Sequence, residues 1–287
     1  MPSVLITGTS KGIGLETALA FGRAGYKVHA TMRNPAGAPE LAAAAAREKL
    51  PIIVTAMDVD SDQSVKEAIA AIERNHGPVD VLVNNAGVER AGSVEELPLA
   101  EVRQVMETNY FGALRCIQAV VGRMRKQRSG CIINVTSIAG RLSNPPLTAY
   151  CASKWALEAL SEGLAAEMKT FNVRVAIVEP GIIDTSMARR CAAPGEPSVY
   201  CQRSRFSQLF SNALTSLRPA SGVADKILEI ANSGSWQLRY PVGTDAIPLL
   251  EWRKAMTDEE WVDLNSLDNA AYFARMEHDF GRPSGSQ

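Results

Sequence analysis

The 287-residue sequence predicts an α/β fold, a parallel sheet of about seven strands flanked by helices, with a helical C-terminal extension. Three observations predict it. Short continuous apolar runs recur along the chain, the pattern of strands buried on both faces. Helical stretches separate these runs, so strand and helix alternate as they do when crossovers build a parallel sheet. The first run opens directly into a glycine-rich turn and then a helix. With 46% hydrophobic residues and no Pro/Gly/Ser-rich linker, the chain can bury one large core. One doubly wound domain is expected over residues 1–240, followed by an extension, 241–287, packed on it.

The elements follow in order. Ser3-Val4-Leu5-Ile6-Thr7 is a strand ending in Gly8-Thr9-Ser10-Lys11-Gly12-Ile13-Gly14, and Leu15 to Ala24 reads as a helix closed by Gly25. Glycines let backbone approach a phosphate, and a helix N-terminus offers unpaired N–H groups and the positive end of a dipole. The spacing G-x-x-x-G-x-G departs from the G-x-G-x-x-G fingerprint, so its placement after a strand carries the reading. Tyr26–Ala30 and Ile52–Ala56 are further strands, with the alanine run 42–46 helical by propensity between them. Asp60 or Ser61 can cap the next helix. Val79–Val83 leads into Asn84-Asn85-Ala86-Gly87, and Cys131–Val135 into Thr136 and Ser137, with helices over 98–128 and 148–170. Val173–Val178 closes at Pro180-Gly181. Phe206, Leu209, Phe210, Ala213, Leu214 and Leu217 form an apolar helical stripe that fits core packing better than a lid over a lipophilic ketone. Trp252, Met256, Trp261, Leu264 and Leu267 suggest one or two added helices, and Gly281 to Gln287 should fray.

Composition narrows the function. A formal charge of −1 without a basic block gives no electrostatic support for nucleic-acid binding. Five dispersed cysteines suit a reducing compartment. No signal sequence precedes the first strand and no apolar stretch is long enough to span a bilayer, so a soluble cytoplasmic protein without a membrane anchor is expected. His29, His76 and His278 fall in a strand, a helix end and the tail, and suggest neither a triad nor a metal site.

The chemistry is concentrated in Tyr150-Cys151-Ala152-Ser153-Lys154, with Ser137 upstream at a strand end. On a helix, an i, i+4 spacing stacks phenol and ammonium one turn apart. A free phenol with a pKa of about 10 is ionised roughly one part in a thousand at neutral pH, and a fixed cation favours the phenolate. Tyr150 is therefore a candidate general acid/base. Cys151 reads as spacing and not as a nucleophile.

Thr7-Gly8-x-x-x-Gly12-x-Gly14, Asn84-Asn85-Ala86-Gly87, Ser137, Tyr150-x-x-x-Lys154 and Pro180-Gly181 with Thr185 occur in one order. In this the chain resembles a short-chain dehydrogenase/reductase over roughly residues 3 to 240, and its wording around Tyr150 and Arg33 is similar to the 17-beta-hydroxysteroid/retinol dehydrogenase-like branch. The resemblance implies a Rossmann-type fold and a catalytic set of Asn109, Ser137, Tyr150 and Lys154. Tyr150 would pass the proton and Ser137 bond the substrate oxygen. Lys154 would lower the phenol pKa by two to three units, worth roughly 3 to 4 kcal/mol. Asn109 would hold a water linking Lys154 to solvent.

The cofactor follows from residues and resemblance together. An acidic residue beyond the glycine turn holds a ribose diol, whereas arginine accommodates a 2′-phosphate. Here the second strand ends Ala30-Thr31-Met32-Arg33-Asn34, without a carboxylate, and Lys11 supplies a second cation, so NADP(H) is expected. Gly8, Ser10, Gly12, Ile13 and Gly14 would cradle the phosphates. Asp58 and Val59 would meet the adenine, and Asn85, Ala86 and Gly87 the floor of the site. Pro180 and Gly181 would end the sixth strand at the cofactor, and the Ile183 backbone and Thr185 hydroxyl would meet the carboxamide, with a substrate lid over about 186–218. The resemblance further implies an alcohol/ketone oxidoreductase that pairs helices 98–128 and 148–170 into a homodimer or homotetramer. Oxoacyl thioester reduction, sugar or polyol chemistry, and a non-catalytic NADP-binding sensor or scaffold are the alternatives.

Overall fold

The computed structural model describes residues 1–216 and 218–281; Leu217 and the tail from Arg282 to Gln287 lie outside the described residues. The elements alternate as expected. They run β1 (Ser3–Thr7), α1 (Gly12–Arg23), β2 (Lys27–Met32), α2 (Glu40–Glu48), β3 (Ile52–Ala56), α3 (Asp62–His76), β4 (Val81–Asn84) and α4 (Leu99–Met106). A π-helical turn, Glu107–Phe111, then leads into α5 (Gly112–Gln127) and β5 (Gly130–Val135). A 3-10 turn (Ile138–Gly140) precedes α6 (Thr148–Lys169), β6 (Val173–Pro180), α7 (Ser186–Ala192), α8 (Gln202–Ala213), α9 (Ala220–Ser233) and β7 (Arg239–Val242). The chain continues through α10 (Ala246–Lys254), α11 (Asp258–Ser266) and α12 (Asn269–Phe280).

All seven strands are parallel, in the order β3-β2-β1-β4-β5-β6-β7. The order reverses between β1 and β4, and at such a switch point the strand ends diverge and leave a crevice for a ligand. The pleat divides the core between two faces. Val4, Ile6, Val28, Ala30, Val83 and Ile133 pack with residues of α1, α2 and α9, while Leu5, Leu82 and Ile132 pack with residues of α3, α5 and α6. Near-complete burial of both sets explains the unbroken apolar runs in the sequence.

Two expectations change. The helix expected over 98–128 is two α-helices joined by the π turn that carries Asn109. Among the described residues the extension holds three helices: the residues that suggested one or two fall on and beside α10 and α11, and α12 is added to them. They are separate because Thr257 and Glu260 form a reciprocal capping box that starts α11, and Asp268 caps α12 by accepting from Ala271 N at 2.9 Å. Trp261, Leu264 and Tyr272 bury against Leu142 and Leu209, so the extension packs on the carboxyl edge of the sheet, over the crevice.

Candidate active site

The crevice opens into a cavity of about 920 Å³ whose wall runs from the β1–α1 turn, past the ends of β4 and β5, to the C-terminal helices. At one end Gly8, Ser10, Lys11, Gly12 and Ile13 line it. The turn is held by Thr7, whose buried Oγ1 accepts from Asn85 N and Ala86 N, each at 3.0 Å, while Asn85 Nδ2 donates to Thr7 O at 2.9 Å and Gly8 O at 3.1 Å. Gly8 has φ +70, and a Cβ there would lie 2.7 Å from Ala86 Cα; a Cβ on Gly14 would run into Gly8 O and Asn85 Nδ2. Gly14 therefore shapes the cradle from behind and does not line the cavity. No side chain caps the start of α1, which leaves its first N–H groups for an anion. Arg33 and Lys11 are both exposed on the same wall, and no ion pair forms at either among the described residues. A cramped glycine turn, an open helix start and two uncommitted cations fit a phosphorylated dinucleotide.

Asp58 and Val59 also line the cavity. Asp58 Oδ1 accepts from Asp60 N at 3.1 Å, and the cap of α3 is Ser61, which accepts from Ser64 N at 3.2 Å. Of the two candidate caps, Asp60 is instead used by Gln104 Nε2 (2.7 Å) and Thr108 Oγ1 (3.0 Å).

Ser137, Tyr150 and Lys154 come together at the middle of the cavity. Ser137 Oγ accepts from Ala139 N at 3.1 Å and donates to Pro180 O at 3.3 Å, which fixes its rotamer at the end of β5. The α6 spacing places Lys154 Nζ 5.5 Å from the centre of the Tyr150 ring, and Nζ donates to Val135 O at 2.9 Å. The electrostatics differ from the sequence expectation. Burial pushes the Tyr150 phenol above its ordinary value, with the Ser137 hydroxyl pulling the other way, so the phenol is held neutral and is not depressed by Lys154. Lys154 is itself pushed down to about 8 by burial, opposed by the charge of Glu158.

Asn109 is 1% exposed and lies behind this group, off the cavity wall. Its Oδ1 accepts from Val88 N at 2.8 Å, and its Nδ2 donates to Val88 O and Ser153 Oγ, both at 2.9 Å. Three hydrogen bonds thus anchor the amide, and one lone pair of Oδ1 is left for a further donor such as a water. Only Gly87 separates it from Lys154, since a Cβ there would lie 3.3 Å from Asn109 Oδ1 and 3.7 Å from Lys154 Nζ.

Pro180, Gly181, Ile183 and Thr185 line the next stretch, and Thr185 caps α7 by accepting from Ala188 N at 3.2 Å, which leaves its hydroxyl proton free to donate. Two residues that the sequence reading missed brace this loop. Asp245 Oδ2 accepts from Ile182 N at 2.8 Å, and Arg218 O accepts from Asp184 N at 2.9 Å. No local signal marks either, because both act across long loops.

The far end is apolar. Phe206, Leu209, Phe210 and Ala213 of the predicted stripe line the cavity, and Phe206 also buries against Ala139, Leu147 and Cys151, so the stripe serves as core and wall at once. Leu217 lies outside the described residues. Trp252, Phe273, Met276 and Phe280 of the extension complete the wall. Cys151 is 2% exposed with its thiol pushed up by burial, in keeping with a packing role. No metal-binding cluster and no helix long and apolar enough to cross a membrane occur among the described residues.

The short chain dehydrogenase family model matches residues 2–194. The uncharacterized oxidoreductase YusZ of Bacillus subtilis (strain 168) is 35% identical over 90% of this chain and 94% of its own length. Retinol dehydrogenase 8 of Homo sapiens is 41% identical over 67% of this chain, a match that spans 62% of that relative. Among solved structures, a gluconate 5-dehydrogenase from Burkholderia cenocepacia J2315 in complex with NADP and tartrate superposes with a TM-score of 0.74 at 25% identity, covering 86% of this chain and 95% of that one.

Proposed function

The chain belongs to the short-chain dehydrogenase/reductase family, and from that premise we propose that it is an NADP(H)-dependent oxidoreductase interconverting a lipophilic alcohol with its ketone or aldehyde. The observation that carries this is the convergence of Ser137, Tyr150 and Lys154 on one cavity with a glycine cradle at one end and an apolar wall at the other. When bound, the reduced nicotinamide supplies the hydride. The residues of the chain do the rest. Tyr150, half-buried and neutral, gives its proton to the carbonyl oxygen as negative charge develops there, and Ser137 turns its hydroxyl proton from Pro180 O to donate a hydrogen bond to the same oxygen. Lys154, when charged, stabilises the phenolate that Tyr150 becomes. Asn109 holds the π turn against Val88 behind Lys154, where the remaining lone pair of Oδ1 could take the water that links Lys154 to solvent. Lys11 and Arg33 would take the 2′-phosphate, and Thr185 and the Ile183 backbone the carboxamide; the NADP held by the gluconate 5-dehydrogenase supports this choice of cofactor.

The reading extends to one domain carrying the extension as a roof, in a cytoplasmic protein that assembles as a homo-oligomer. Four of its five free cysteines are buried, and Phe111 (42% exposed) and Trp155 (50%) present apolar surface next to α5 and on α6. The test is NADPH oxidation against short and long alkyl, aryl, retinoid and steroid carbonyls, with an acyl thioester and a keto-sugar as comparison. Turnover that rises with apolar size supports the proposal. Turnover confined to the thioester or the sugar, or NADPH binding without turnover on any member, contradicts it.

A further inference from the structure

Behind the lysine lies a group of charges that the reaction as described does not use. Glu158 occupies the next position on the face of α6 that carries Tyr150 and Lys154, so each successive residue sits one turn further along. It is 5% exposed, and Glu179, at the end of β6 just before Pro180, is 0% exposed. Arg239 of β7 reaches both: its Nε lies 2.9 Å from Glu158 Oε2 and 3.8 Å from Glu179 Oε1. Its Nη2 lies 2.7 Å from Glu162 Oε2, on the exposed edge of α6. Arg141, just after the 3-10 turn, lies 3.2 Å from Glu179 Oε1. The opposite oxygens, Glu158 Oε1 and Glu179 Oε2, are buried with no hydrogen-bond partner among the described residues. The 3-10 turn lies flat on this stretch of helix, since a Cβ on Gly140 would meet Glu158 Cγ at 2.9 Å and Lys154 O at 3.2 Å, which leaves no room for water between.

A buried carboxylate with one oxygen unpaired persists only where a nearby cation compensates it. The charged groups around Glu158 are Lys154 and Glu162 on its own helix, Glu179 on β6, Arg239 on β7, and Arg141. Arg239 is shared among three carboxylates and Arg141 is committed to Glu179. Lys154 is the one cation of the set without a carboxylate of its own within salt-bridge distance. We propose that Glu158 is a positioning residue for the reaction: from one turn along α6, its buried carboxylate keeps the Lys154 side chain in the charged form on which the phenol depends. Glu179 and Arg239 complete the arrangement and tie it to β7. Burial and the neighbouring Glu158 hold the Glu179 carboxyl above the usual range. The inference rests on the proposed role of Lys154 as the charged partner of Tyr150.

The test reads Lys154 directly. In protein labelled with carbon-13 at the lysine ε position, the Lys154 signal is assigned by its loss in K154R and titrated by NMR in the full chain without substrate. E158Q, which keeps the hydrogen bond from Arg239 but removes the charge, is expected to lower the Lys154 midpoint by about one pH unit, a tenfold change in proton affinity. E158D, which retracts the charge, should give a smaller shift in the same direction, and E162Q, at the exposed edge, none. An unchanged Lys154 midpoint in E158Q overturns the proposal; if E158Q does not fold, an unchanged midpoint in E158D does so. The alkaline limb of kcat for carbonyl reduction should move with the midpoint. A shifted midpoint in a protein that turns over no carbonyl would sink the proposed reaction and leave the charge coupling standing.

Discussion

The Thr7 hydroxyl is the sharpest place to perturb the cradle. It is 1% exposed, and its oxygen is the partner of two backbone N–H groups, Asn85 and Ala86, at 3.0 Å each. Thr7→Val keeps the shape and the strand preference but leaves both donors facing a methyl group. Each unpaired, partly buried N–H costs about 1–3 kcal/mol, so about 2–4 kcal/mol of folding free energy should be lost after partial relaxation. In a chain of this size that is a fall of several degrees, at about 2–4 °C per kcal/mol. The same two bonds hold the β4 end against Gly8, so the NADPH dissociation constant should rise as well. The assay is chemical denaturation without nucleotide, followed by fluorescence titration with NADPH, with Thr7→Ser as the variant that restores both. A Thr7→Val protein within 0.5 kcal/mol of wild type, roughly the effect of an ordinary surface substitution, would refute the reasoning.

Three further outcomes are expected. Arg33→Asp removes a charge-assisted contact to a 2′-phosphate, worth about 1.5–3 kcal/mol, and should shift the kcat/KM ratio from NADPH toward NADH by about 10- to 100-fold; an unchanged ratio counts against the cofactor assignment. Phe273→Ala should lower kcat/KM for long-chain carbonyls more than for short ones, and equal effects on both would remove the α12 wall from substrate recognition. His29 is fully buried, neither ring nitrogen has a partner among the described residues, and burial near His76 pushes it down to about 4 from an ordinary value of 6.5. The unfolded chain therefore binds a proton first as pH falls, so stability present above pH 6.5 is lost progressively toward pH 4, by about 3 kcal/mol in full. His29→Leu should flatten that part of the curve in denaturation experiments at graded pH, and an unaltered slope would assign the acid sensitivity elsewhere.

What the sequence made legible is what depends on short spacing. The strand–turn–helix opening, the Tyr150–Lys154 pair and the strand-end motifs could be read because each is local and each sits at the carboxyl edge of a buried strand. The π turn around Asn109 was invisible, since nothing in Glu107-Thr108-Asn109-Tyr110-Phe111 distinguishes it from a continuous helix. So was the engagement of the Asn109 amide, which depends on Val88 and Ser153 meeting in space. Asp245, Arg218 and Arg239 act across tens of residues, Asp245 and Arg239 through the β6–β7 pairing and Arg218 through the bridge between Asp184 and Pro219. The direction of the Tyr150 shift differs from the sequence expectation for a related reason: the lysine was visible in the sequence, while the packing that desolvates the phenol was not.

The central claim is that the Tyr150 hydroxyl gives the proton to the carbonyl oxygen. It is tested most directly by Tyr150→Phe in single-turnover experiments with bound NADPH and a ketone that the wild type reduces. The account predicts a loss of at least 100-fold in the rate of NADPH oxidation, in keeping with the usual worth of general acid catalysis, with NADPH affinity within a few-fold of wild type. A variant that reduces the ketone within tenfold of the wild-type rate would contradict it.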